Sequence, residues 1–353
     1  MNNRQYVEYV GNVHIHSRYS DGGEGVAGIA RAASENGLDF IGLNDHDYMT
    51  DSLHLEEEGF HGKVLVLMGL EIGERYHHYL AFNIREMIRG KGLSPQEVIN
   101  RVKANGGFGF LAHPFEKGMP FKDHSTAYTW NDLEVEGYAG ICIWNYMSRW
   151  KERVRSPIHG LYCLLFKRLS LKGPSRKTLA FWDRKCLEKK VVAIGGSDAH
   201  GDLFEWGALR FRPFSYHTLL NTINVHLLLE EPLPDDFARA KEQLFQAMRR
   251  GRLFIAHDGL ESARGFSFSY ETISGDTWQM GEEEGFEPGN MVVRSPAPGR
   301  IRLVRNGMTL GEWKGRNIRV AIKKDGVYRV EVEKFEPVFG WRPWIFSNPI
   351  YLR

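Results

Sequence analysis

The chain has little cysteine, almost no net charge and no long apolar run. Its three cysteines, Cys142, Cys163 and Cys186, are odd in number, scattered and free of CxxC spacing. That pattern excludes a disulfide framework and suits a reducing compartment. A formal net charge of +2 over 353 residues excludes a protein whose affinity for nucleic acid rests on a broad basic surface. The most apolar short stretch, Gly160 to Phe166, is far below the roughly 20 residues that cross a bilayer. The segment Met1 to Tyr9 is polar and shows no secretory pattern, so cytoplasmic is the default expectation. No internal repeat or low-complexity segment is visible.

What remains is ordinary in bulk and unusual in detail. Hydrophobic content of 42% and charged content of 25% fit a folded chain, with length for a large domain and a smaller one. The first 200 residues repeat a short apolar strand, a polar turn and an amphipathic helix. Strands are expected at 12–16, 40–45, 64–71, 79–83, 108–114, 140–145 and 191–197. Val26, Ile29, Ala30 and Ala33 form a helical stripe closed by Gly37. Ser94-Pro95 starts another helix, and further helices are expected over 178–190 and 235–250, the last closed by Gly251. This alternation predicts an α/β fold with a parallel sheet, open or closed into a barrel. Residues 146–177 read as an irregular insertion. Beyond about residue 260 strands succeed one another, with Asn306-Gly307 and Asp325-Gly326 as hairpin turns, which predicts a small antiparallel β-sandwich. The expected division is 1–258 and 259–353.

Chemistry-bearing residues gather in five short strings. They are His14-Ile15-His16 with Asp21; Asn44-Asp45-His46-Asp47; Gly69-Leu70-Glu71; Ala112-His113-Pro114; and Gly196-Ser197-Asp198-Ala199-His200. Each lies at or just past the C-terminal end of an expected strand, where parallel strands converge on one face. Imidazole and carboxylate together suit zinc, manganese or iron. Their number exceeds what one ion uses, so two or three divalent ions are expected, with a carboxylate as bridge.

The string His14-Ile-His16-Ser-Arg18-x-Ser-Asp21-Gly22, followed in order by Asp45-His46-Asp47, Glu71, His113-Pro114 and Ser197-Asp198-x-His200, resembles the PHP (polymerase and histidinol phosphatase) family. The resemblance spans residues 12 to about 201. It implies a distorted (β/α)7 TIM-like barrel with a trinuclear metal centre and phosphoesterase activity. It would put His14, His16, Glu71 and Asp198 on a first metal, with Glu71 bridging to a second held by His113 and His78. Asp21, His46 and His200 would hold the third. His77 is the alternative to His78, since alternation lets only one of them face the site. The tail, from Gly326 to Tyr351, is similar to that of carbaryl-hydrolase-type metallohydrolases. A carbamate or amide hydrolase is therefore the alternative reading, and a non-catalytic metal-containing binding module a second one.

Glu71, Arg18 and Asp45 are the expected catalytic residues. Arg18 would take phosphoryl oxygens, unless it is a surface arginine. Asp45 and Asp47 would orient imidazoles, or one of them would protonate the leaving oxygen. The expected partner is a small phosphorylated molecule, a nucleotide included, with no stable nucleic-acid complex and no membrane. His54, His61, His124, His159, His217 and His257 read as structural or solvated. Trp130, Trp144 and Trp150 read as core, and the basic run Arg149 to Arg155 as a solvated face, with attraction of an anionic substrate as its alternative.

Overall fold

The computed structural model describes residues 6–73, 75–122, 127–206 and 209–353; His124 lies outside them. The first part of the chain runs β1 (Val7–Ile15), α1 (Val26–Glu35), β2 (Phe40–His46), β3 (Gly59–His61), β4 (Val64–Ile72), β5 (Tyr79–Phe82), α2 (Pro95–Ala104) and β6 (Phe108–Leu111). It continues with β7 (Gly140–Asn145), α3 (Tyr146–Lys151), α4 (Pro157–Leu165), α5 (Arg176–Glu188) and β8 (Val192–Gly196). Then come β9 (Phe204–Trp206), β10 (Leu209–Phe211), α6 (Tyr216–Leu219), β11 (Ile223–Leu229), α7 (Phe237–Arg250) and β12 (Leu253–His257). The tail is all strand: β13 (Ser267–Thr272), β14 (Thr277–Gln279), β15 (Glu283–Glu284), β16 (Gly289–Arg305), β17 (Met308–Ile322), β18 (Gly326–Glu336), β19 (Gly340–Ser347) and β20 (Ile350–Leu352).

Local chemistry explains the helices. Ser94 caps α2 by accepting from Glu97 N, with Pro95 at the first position and Glu97 returning the bond as a capping box. Asp236 caps α7, and Gly251 closes it in the left-handed region at φ 70°. The buried stripe Val26, Ile29, Ala30 and Ala33 seats α1 on the sheet. The stretch 146–177 is more regular than the sequence suggested: Asn145 and Ser156 each accept a backbone N–H and start α3 and α4. No described helix is long and apolar enough to cross a membrane.

Two expectations about the sheet are corrected. First, it is mixed rather than parallel. β1, β2 and β4 run parallel, as do β6, β7 and β8, but β5 is antiparallel to both β4 and β6. Second, the barrel is not closed. Between β8 and β1 the described residues form no ladder, only a bridge from Ile15 to Ala199. His14 at φ 146° and Asp198 at φ 56° leave the extended region at this seam, which interrupts regular pairing. The approach is nonetheless close: a Cβ on Gly196 would stand 2.6 Å from Val13 O.

The tail joins the same 18-stranded sheet, because β12 pairs with β19, Phe254 facing Ser347. It is thus continuous with the N-terminal strands, where a separate sandwich was expected. Asn306 and Gly307, both at positive φ, turn β16 into β17 as expected. Asp325-Gly326 is no such hairpin, since β16 lies between β17 and β18. One hydrophobic core fills the N-terminal region, and a second, including Phe268, Tyr270, Met291, Ile301, Val330 and Trp344, lies between the tail strands and Leu228, Phe254 and Ala256 of β11 and β12.

Candidate metal centre

The strand directions assemble the site. His14 and His16 lie at the end of β1, His46 closes β2, Glu71 lies near the end of β4, and His113 and Asp198 follow β6 and β8. These are the C-terminal ends of parallel strands. His78 instead precedes β5, and because β5 runs the other way its N-terminal end reaches the same edge. The reversal that breaks the parallel pattern is therefore what delivers this imidazole.

Glu71 is the centre of the constellation. Its Oε1 stands 2.9 Å from His78 Nδ1 and 3.2 Å from His113 Nε2. Its Oε2 lies 3.3 Å from His14 Nε2, 3.2 Å from His16 Nε2 and 3.4 Å from His46 Nδ1. Asp198 Oδ1 is 3.3 Å from both His14 Nε2 and His16 Nε2. The outer carboxylate, Asp21, is half exposed; its Oδ1 is 3.4 Å from His200 Nε2 and its Oδ2 3.7 Å from His46 Nε2. His16 and His200 stack with ring centroids 4.1 Å apart.

Three groups hold donor atoms within 4.8 Å of one another: His14, His16, Glu71 and Asp198; His46, Glu71 and His78; and His16, Asp21, His46 and His200. Against the expected sets there are three differences. His46 joins Glu71 and His78 as well as Asp21, His16 joins Asp21 and His200 as well as the first group, and His113 reaches Glu71 but belongs to none of the three. His77 turns away, its Nε2 accepting from Asn131 N at 3.3 Å.

Burial makes this arrangement costly without cations. His14 and His16 are fully buried, and neither ring nitrogen of either has a hydrogen-bond partner among the described residues. Burial works to raise the Glu71 carboxyl, yet His78 and His14 overcome it and hold it well below its usual range. Asp198 is likewise held down by His14 and His16 against burial. In return, Asp198 and Glu71 draw the buried His16 well upward, and Glu116 and Glu71 lift His113 to about 9. The carboxylates thus demand positive charge, which protons supply to the bare protein and divalent cations supply better. His14, His113 at φ 29° and Asp198 also hold backbone angles that non-glycine residues rarely adopt, a form of strain that gathers at functional sites. The donor set, its convergence and its lack of partners fit bound divalent ions.

Other expected residues sit elsewhere. Among the described residues Asp45 bonds to no imidazole: its oxygens accept from Ser17 N at 2.7 Å, Ser17 Oγ at 2.7 Å and Ser20 Oγ at 2.6 Å, pinning the loop that carries Asp21. Asp47 accepts from Gly73 N and Gly90 N, and burial raises its carboxyl. Arg18 is exposed, with its guanidinium beside Gly25. Lys151 feels the charge of the cluster: burial opposes its ammonium, but Glu116 and Asp198 raise it above its usual value. His257 is buried and bonded to Arg168 O. His54 stacks on Tyr19 at 3.4 Å. Trp130 and Trp144 are core, as expected.

Four neighbours escaped the sequence reading. Asn145 Nδ2 donates to Asp198 Oδ2, Glu116 stands 3.5 Å from His113 Nδ1, and Tyr48 and Tyr128 stack on His46 and His78. Only the i, i+3 spacing of His113 and Glu116 offered a signal.

No protein-family profile matches the chain. Over 115 residues, 30% of this chain and 67% of the other, it is 27% identical to an uncharacterized protein of Methanocaldococcus jannaschii. Among solved structures it is similar to a two-domain protein containing a predicted PHP-like metal-dependent phosphoesterase from Bacteroides vulgatus, at 16% identity and TM-score 0.47, over 97% of this chain and 95% of that one. It is also similar to PsfC from Pseudomonas syringae, at 13% identity and TM-score 0.41, over 66% and 87% of the two chains. A third likeness is to a candidate metal-dependent phosphoesterase from Bifidobacterium adolescentis, at 16% identity and TM-score 0.30, over 56% and 91%.

Proposed function

We propose that the protein is a metal-dependent hydrolase that cleaves phosphate esters of small molecules. The observation that carries this reading is Glu71, whose two carboxylate oxygens face five imidazoles at 2.9 to 3.4 Å inside a buried pocket. A carboxylate so placed would be shared between cations, with His14, His16 and Asp198 on one side and His46 and His78 on the other, and Asp21 with His200 would hold a further one. When bound, two or three divalent ions (manganese, iron or zinc) supply Lewis acidity and acidify water for attack at neutral pH.

The chain's own residues then have separate tasks. His14, His16 and Asp198 fix the inner position, His46 and His78 the second, and Asp21 and His200 the half-exposed rim. Glu116 orients His113, and Asn145 orients Asp198. Lys151 offers a fixed cation to an anionic substrate. Arg18, expected in that role, faces solvent at Gly25. Tyr48 and Tyr128 each cover one face of His46 and His78.

The test is metal content per chain, measured by plasma mass spectrometry, with hydrolysis of p-nitrophenyl phosphate and its bis-ester. Two or three equivalents with phosphate release are expected. Metal without phosphate release, but with hydrolysis of an amide or carbamate, would overturn the phosphate chemistry.

A further inference from the structure

Beside the metal centre lies a cavity of about 510 Å³ with an unusual lining. Arg149, Arg153, Arg155, Lys172, Arg176 and Lys177 all face it, and among the described residues Glu152 is the one carboxylate in its walls. Arg149 pairs with Glu152. No described carboxylate lies within ion-pair distance of Arg153, Arg155, Lys172, Arg176 or Lys177, and Arg153 Nε is buried without a hydrogen-bond partner. Within the basic run at 149–155, Arg149 and Arg153 are half-buried and Arg155 is exposed. α3, α4 and α5 set these side chains around one hollow rather than on a flat face.

Such crowding opposes folding unless something offsets it. Burial lowers the Lys172 ammonium, and Arg153, Arg149 and Arg155 lower it further; Arg149 is pushed down to about 10 by burial and Arg153. α5 adds to the cost. Its first turn carries no acidic residue but Arg176 and Lys177, at the helix end that already bears partial positive charge. The start of α5, where Ser175 caps Thr178 N, adds two cations to a space that further arginines and lysines face, and such a convergence of positive charge suits an anion. A concave space of this size suits a small molecule rather than a duplex.

The cavity shares walls with the surroundings of the metal centre. A narrow crevice lined by His113, Asn145 and Thr178 shares Arg149, Glu152 and Ser175 with it. Asn145 holds Asp198 and starts α3, and Arg149 follows one helical turn later. The inner wall thus stands on the order of 10 Å from the metal ligands.

We propose that this cavity is a phosphate-binding subsite, and that the compound hydrolysed at the metal cluster is a small organic molecule carrying a second phosphate group seated among Arg149, Arg153, Arg155 and Lys172. The second clause rests on the phosphoesterase reading above; the subsite does not.

Calorimetric titration of the metal-loaded protein with fructose 1,6-bisphosphate, fructose 6-phosphate and inorganic phosphate tests it. The same titrations are run on Arg155→Ser/Lys172→Ser, both residues being exposed, after its metal content is shown to match. The bisphosphate is expected to bind at least tenfold tighter than either single phosphate, and to lose at least tenfold in the variant. Should the double variant lose metal, Lys177→Ser at the exposed start of α5 carries the same expectation at a threefold loss. An unchanged variant would overturn the subsite, and equal affinity for bisphosphate and monophosphate would overturn the second clause. Hydrolysis of p-nitrophenyl phosphate without any bisphosphate preference overturns that clause and leaves the reaction standing. A retained preference without such hydrolysis overturns the reaction and the second clause, and leaves the phosphate site standing.

Discussion

Asn145 Nδ2 donates to Asp198 Oδ2 at 3.2 Å, while Oδ1 of the same amide accepts from Ser148 N at 3.0 Å and starts α3. One side chain thus ties an expected metal ligand to the helix that carries Arg149 and Lys151. Asn145→Ala frees Asp198 to rotate and removes the helix cap. The expected result is a 10- to 100-fold loss of metal affinity, on the order seen for groups that orient ligands, measured by competition with a fluorescent chelator. The cap adds about 1 kcal/mol of lost stability. Unchanged metal affinity would show that Asp198 needs no support.

Asp45 predicts a selective defect. It binds Ser17 and Ser20, not the cluster, so Asp45→Ala should loosen the loop bearing Asp21 and leave the inner ligands His14, His16, Glu71 and Asp198 intact. Metal content is expected to fall by about one equivalent while tightly held metal remains. Complete metal loss would instead tie Asp45 to the inner site.

His226 predicts an alkaline weakness unrelated to metal. Buried between Glu8 (2.6 Å from Nδ1) and Asp258 (3.0 Å from Nε2), it faces a burial cost that Asp258 and Glu8 outweigh, lifting its pKa to about 9. The folded value exceeds the unfolded one of about 6.5. Its stabilisation is therefore fully present below about pH 6.5 and is lost as pH rises through about 9. The difference corresponds to roughly 3 kcal/mol. Denaturant melts from pH 6 to 10 should show the wild type converging on His226→Gln at the alkaline end. Parallel curves would mean that the imidazole is neutral throughout.

Asn348 joins the tail to the strand that leads to Asp198. Its Oδ1 accepts from Ala193 N at 2.8 Å, and its Nδ2 donates to Ala193 O at 2.8 Å and Leu253 O at 3.1 Å, all buried. We propose that residues 259–353 brace the catalytic unit of 1–258 through this contact and the β12–β19 pair. Asn348→Ala strands buried backbone groups on β8, and a stability loss of about 2 to 3 kcal/mol is expected. A loss under about 0.5 kcal/mol would make the tail an independent appendage.

Much of this protein is local and so is written in its sequence. Apolar runs of strand length, Ser94-Pro95, Gly251 and Asn306-Gly307 set elements through short-range sterics and hydrogen bonds, which need no distant partner. The order His14, His16, Asp21, His46, Glu71, His113, Asp198 and His200 pointed to the candidate ligands, because each residue falls at or just beyond a strand end that parallel pairing brings to one edge. What the sequence could not hold is direction and long-range contact. The reversal of β5, which chooses His78 over His77, depends on pairing with β4 and β6. The open seam between β8 and β1, the turn of Asp45 toward Ser17, and the gathering of the 149–155 cations into a hollow follow from packing among residues far apart in the chain. Composition counts charges; only the tertiary structure decides which of them face one another.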